Sequence, residues 1–117
     1  MPDDEVRALI LAHASSKGIV RRPFAPDEIV HRVLVTMTNE IAALVEDGIA
    51  ARPSDADLAL VHGYGFPQHE GGAVCWAARQ DRSWLRARLG ALEAVTGHGF
   101  RAGRVDQLLD EWERDWR

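Results

Sequence analysis

A single cysteine, Cys75, and a single tyrosine, Tyr64, are all that this chain of 117 residues has of either type. One cysteine excludes an internal disulfide, so the expected role is a buried, inert thiol in a reduced, cytoplasmic setting. No run of about 18 apolar residues exists, which excludes a membrane-spanning helix. The opening "MPDDEVRALI" is acidic and lacks the basic and apolar regions of a secretory signal. A formal charge of −4 speaks against general nucleic-acid binding, which draws on clustered cations. Strand patterns, repeats and low-complexity tracts are also missing. What remains is enough for one domain over residues 1–117, able to bury roughly two-thirds of its unfolded surface without a disulfide or metal.

Helical signals fill that domain, and the fold class they predict is all-α. Val6, Leu9, Ile10 and His13 follow helical spacing, with Gly18 as a stop. The longest helix is predicted from Pro26 to Asp47, with Pro26, Asp27 and Glu28 suited to its first turn and Gly48 to its end. Val30, Val33, Leu34, Met37, Ile41, Leu44 and Val45 form its apolar stripe, and Ile29 and Val35 widen it, which implies contacts on two sides. A third helix runs from a Ser54 N-cap to Gly63, with Leu58 and Val61 facing inward. Three shorter helices follow, in "GGAVCWAARQ", "RSWLRARLGALEAVTG" and "VDQLLDEWERDWR". Trp84, Leu85, Leu89, Leu92 and Val95 share one side of the second of these. Val105, Leu108, Leu109, Trp112 and Trp116 align on the last.

The stretch "VHGYGFPQHEGGAVCW", residues 61–76, gathers glycines, histidines, aromatics and the cysteine. As a phosphate loop it fails, because Gln68 replaces the third glycine of a GxGxxG pattern and no strand precedes it. As a metal site it fails on spacing, since His62 and His69 are separated by a Gly/Pro loop and His13, His31 and His98 are scattered. Cys75 sits in the apolar run "AVCWAA", where a structural thiol outweighs a nucleophile. Asp55 with Asp57, and Glu46 with Asp47, read as surface carboxylates near helix ends. A structural corner is left: Gly63 and Gly65 allow sharp turns, Pro67 restricts the residue before it, and Tyr64 and Phe66 pack the corner.

The order of these parts carries a resemblance. "DEIVHRVLVTMTNEIAALVEDGIAARPSDADLALVHGYGFPQHEGGAVCWA" is similar to the C-terminal helical domain of 3-hydroxyacyl-CoA dehydrogenases. That domain has a long helix of the form IVxRxLxxxxNExxxLxExGIA, then a short S-x-x-D-[IA]-D helix, a GYGFP corner and a GG-rich lead-in to the next helix. Counting the opening segment, the likeness covers roughly residues 3 to 78. It implies a multi-helix fold of the 6-phosphogluconate dehydrogenase C-terminal-like type, with a long central helix and four to five shorter ones. It is nearest to the second, degenerate copy of the domain in multifunctional fatty-acid β-oxidation proteins. Copies pair in that family, as homodimers or as internal pseudo-dimers, and NAD binds to an upstream Rossmann domain that also holds the catalytic histidine and glutamate. Where the catalytic copy has asparagine in "IVNR" this chain has His31, and "QHEGG" replaces the usual "MGP" turn. Asn39 occupies a different position and does not inherit the catalytic role.

Three functional expectations follow. The first is a dimerisation and substrate-side domain of such an NAD-dependent oxidoreductase of fatty acid metabolism, with no cofactor or metal of its own, paired with itself, a sister copy or a Rossmann-containing chain. The second is a small enzyme using His31 or Glu40 near the GYGFP corner, set against a packed histidine and a carboxylate buried on backbone groups. The third is an acyl-CoA-binding or adaptor module in which Arg21, Arg22 and Arg32 meet phosphates, set against a solvated helix face.

Overall fold

The protein, a computed structural model, is described over residues 3–116. Its helices are α1 (Asp4–Ser16), α2 (Pro26–Glu46), α3 (Pro53–Gly63), α4 (Ala73–Ala78), α5 (Arg82–Thr96) and α6 (Val105–Asp115). Short 3-10 turns occupy Gln68–Glu70 and Gly97–Gly99. Helices α2 to α6 form an all-α bundle in which α2 packs on α3, α4, α5 and α6, and α4 lies between α3 and α6.

The long α2 helix begins with Pro26 in its first turn and two acids, Asp27 and Glu28, that complement its positive end. It stops where Gly48 turns left-handed at φ 70° and the Ile49 amide reaches back to the Leu44 carbonyl. Its two apolar sides have different fates. Val35, Ile41 and Ala42 are buried in the core, and Leu34, Met37 and Val45 pack against them. Ile29 and Val33 point the other way and stay about half exposed, at 52% and 53%, and Val30, in the first turns on the Met37 side, is 52% exposed.

Buried aliphatic side chains of α5 and α6, Leu85, Val105, Leu108 and Leu109, close the core from the far side. Each such burial contributes about 1.5–3 kcal/mol of hydrophobic free energy. The segment before α6 approaches α2 so closely that a Cβ on Gly103 would lie 2.7 Å from the Asn39 carbonyl oxygen. Only glycine lets the two backbones meet there.

Helix α1 stands apart from this bundle. Ala14 is its one buried residue, whereas Val6, Leu9, Ile10 and Leu11 remain 45–66% exposed. The molecule accordingly measures 53 × 30 × 26 Å with a radius of gyration of 16.8 Å. A compact chain of this length would have about 13 Å.

Several sequence expectations change at this level. Arg52, with Pro53 at N1, starts α3 in place of Ser54, whose hydroxyl lies 3.4 Å from Asp115. Leu58 is 55% exposed and Val61 half-buried, so α3 turns a different side inward. Val95 and Trp116, both near helix ends, are 71% and 70% exposed. Trp116 still contacts the Trp112 ring at 5.9 Å between centroids. No helix among the described residues is long and apolar enough to cross a membrane.

Candidate functional site

Two buried polar side chains tie the bundle together. Asp57 accepts hydrogen bonds from the Val74 and Cys75 amides, both at 2.9 Å, and so caps the N-terminus of α4 from α3. Desolvation pushes its carboxyl above the ordinary aspartate value, and the amide hydrogen bonds of α4 oppose that push. Asp57 was expected at the surface. It is instead nearly fully buried, because the free amides of a short neighbouring helix need an acceptor more than its own helix end does. Gly72 makes the approach possible: a Cβ there would sit 2.2 Å from an Asp57 carboxylate oxygen.

Asn39 is the second clamp. Its amide nitrogen donates to the Arg101 carbonyl at 2.8 Å, and its oxygen accepts from the Gly103 amide at 2.9 Å. Both bonds fix the loop before α6 on α2. Thr38 beside it donates to the Leu34 carbonyl at 2.8 Å and lies 3.3 Å from the Ala73 carbonyl. These groups are satisfied and structural.

The group with unspent chemistry is His31. Its ring forms a three-ring cluster with two indoles that also touch each other, 6.0 Å from Trp76 and 5.2 Å edge-on to Trp84, so it is packed near the start of α2 as a structural histidine would be. It also lines a cleft of about 220 Å³ between α2 and α5, together with Arg32, Val35, Arg88, Leu92 and Val95. Glu28 also lines it. The Arg22 side-chain hydrogen bond, aided by Arg32, holds its carboxyl below the ordinary glutamate value. Arg22 and Arg32 also stack on Phe24, at 4.0 and 5.2 Å.

Glu40 does not join His31. Nine positions along an α-helix is about two and a half turns, which sets the two on opposite faces. Glu40 is exposed, so neither an acid/base role beside His31 nor a buried carboxylate at the corner describes it.

The corner itself is partly as expected. Gly65 turns at φ 71°, and the Tyr64 and Phe66 amides both bond the Leu60 carbonyl. Phe66 packs on the core, but Gly63 ends α3 without a positive φ, and Tyr64 is 83% exposed and packs nothing. Pro67 leads into the 3-10 turn at Gln68–Glu70. A left-handed turn at Gly65 rotates successive side chains apart, so one aromatic goes in and the other out.

Cys75 is half-buried, with its sulfur 3.2 Å from Arg79 Nη1, which also donates to the Glu70 carbonyl, while Arg79 Nη2 pairs with the Glu70 carboxylate. Among the described residues no group of three His, Cys, Asp or Glu is arranged to hold a metal ion. Of the arginines considered for phosphates, Arg22 and Arg32 are engaged by Glu28, and Arg21 lies beside α1.

Sequence reasoning missed Asp57, Trp76, Trp84 and Arg88 as partners in these arrangements. Only the Trp84–Arg88 spacing of four, one helical turn, was a usable signal. In a comparison with known protein families, no family model matches the chain.

Proposed function

We propose that this chain is a helical accessory domain of the 3-hydroxyacyl-CoA dehydrogenase kind, built on the 6-phosphogluconate dehydrogenase C-terminal-like plan and not catalytic alone. Its task is to pair, with itself or with a sister copy, and to support the substrate side of a cytoplasmic, NAD-dependent fatty-acid β-oxidation enzyme whose Rossmann domain holds the cofactor. The IVHR, NE and GYGFP order carries the family likeness. The observation that supports pairing is the start of α2, where Ile29 and Val33 on its outer side and Val30 on its flank remain half exposed. Apolar surface of this kind on a small domain marks an interface.

Sedimentation at tens of micromolar tests the reading, with a dimer expected. Val33→Asp, on an exposed residue, should give a folded monomer. A wild-type chain that sediments only as monomer would remove self-pairing. Calorimetry should find no NADH binding by the chain alone, and micromolar affinity would overturn the accessory role.

A further inference from the structure

We propose that the cleft between α2 and α5 binds a small organic carboxylate with a short apolar tail, its oxygens held by Arg88 and His31 and its tail against Leu92 and Val95. Three observations converge on that ligand class.

The first is unused donors. Among the described residues, His31 uses its ring in contacts with Trp76 and Trp84, but no hydrogen bond or ion pair occupies its nitrogens. The Arg88 guanidinium lies 5.3 Å from the Trp84 ring centroid and has no carboxylate partner. The indole positions that cation without neutralising it. The second is charge. Glu28, the acid on the cleft wall, is already held by Arg22 and Arg32, so the remaining balance of the wall is positive. A carboxylate can take charge-assisted hydrogen bonds from a guanidinium in two-pronged fashion.

The third is apolar surface. Ala91, Leu92 and Val95 follow Arg88 along α5 and line the same cleft with aliphatic side chains. A bare inorganic anion would leave that surface to water, and an uncharged alcohol would leave Arg88 unpaired. A volume of about 220 Å³ limits the occupant to a few carbon atoms. The inference is independent of the accessory-domain reading, because it uses none of the outer face of α2.

Sodium butyrate titrated into the full chain, followed by NMR of the His31 imidazole and Trp84 indole, tests the site. Sodium phosphate and 1-butanol serve as the anion-only and tail-only probes at matched ionic strength. Saturable butyrate binding is expected, with both resonances shifting together and each control at least about tenfold weaker. Arg88→Gln should weaken butyrate about tenfold. Val95→Asp, at an exposed position, should remove binding without disturbing the fold. Equal binding of phosphate, equal binding of butanol, an unaffected Arg88→Gln protein, or no saturation below roughly 50 mM butyrate would each overturn the proposal.

Discussion

Helices α1 and α4 invert the usual relation between local signal and burial. α1 has 13 residues, an Asp3 cap whose carboxylate accepts from the Glu5 and Val6 amides, acids in its first turn and a histidine in its last. Yet it buries only Ala14. α4 has six residues, too few for a stable isolated helix, and its own N-cap residue, Gly72, has no side chain to offer. Yet Ala73, Val74 and Ala77 are completely buried. Local signals therefore decide whether a helix can form, while neighbouring elements decide whether it matters to the core. What α4 lacks, α3 supplies through Asp57.

The sharpest way to break this contrast is at Gly72. Gly72→Ala would place a Cβ against Asp57 at a φ of 113°, and urea unfolding should show a loss of at least about 3 kcal/mol. A loss under about 1 kcal/mol would show that the Asp57–α4 contact is loose.

Asp57→Ala comes next. It leaves the buried Val74 amide and the part-buried Cys75 amide of α4 without an acceptor and should cost about 2–4 kcal/mol by the same measurement. The pH dependence of Asp57→Asn tests its electrostatic side. Glu28, Asp47, Asp55, Asp81 and Asp106 are held below their ordinary values, chiefly by hydrogen bonds from Arg22, Arg101, Arg52, Ser83 and Arg86 respectively. Their contribution is full above those ordinary values and is lost as pH falls through the lowered ones. Asp57, raised by desolvation, has the opposite sign: its contribution falls as pH climbs from 3.8 through its raised value. Acidification of the Asp57→Asn protein should therefore lose stability more steeply than the wild type. A shallower acid limb in denaturant titrations from pH 6 to about pH 3 would contradict the assigned direction.

Asn39→Ala frees the Arg101 carbonyl and the Gly103 amide and should cost about 2 kcal/mol. Hydrogen exchange should also quicken at Gly103, and unchanged exchange there would count against the clamp. The smallest effect belongs to α1. Leu9→Ala, on a side chain 66% exposed, should change stability by less than about 0.5 kcal/mol. A larger loss would mean that α1 docks on something in solution and that the contrast with α4 is incomplete.

Much of the architecture was legible because it depends on neighbours in sequence. Pro26 and Gly48 bound α2, Gly18 turns the chain after α1, and Gly65 turns it after α3, all through short-range backbone geometry. The two apolar sides of α2 were visible in its periodicity as well. The candidate site was far less legible. His31 stood out as a residue type, but Arg88 reaches its cleft from a helix more than 50 positions away. Glu40 was already excluded as a partner of His31 by nine-residue helical spacing, but Tyr64 looked like packing until the Gly65 turn sent it to solvent.

By itself, then, the sequence determined the ends of α2 and the turns after α1 and α3, because prolines and glycines act within one turn of the chain. It also determined that the protein would be all-α, because its apolar residues recur at helical spacing. Only the tertiary structure decided which of those helices make the core and which carboxylate is buried. It alone joined His31 and Arg88 in one cleft. Burial and hydrogen-bond demand are properties of surfaces brought together from distant segments. Asp57 shows it most directly: its partners are amides 17 and 18 positions away, on a helix that has no capping side chain of its own.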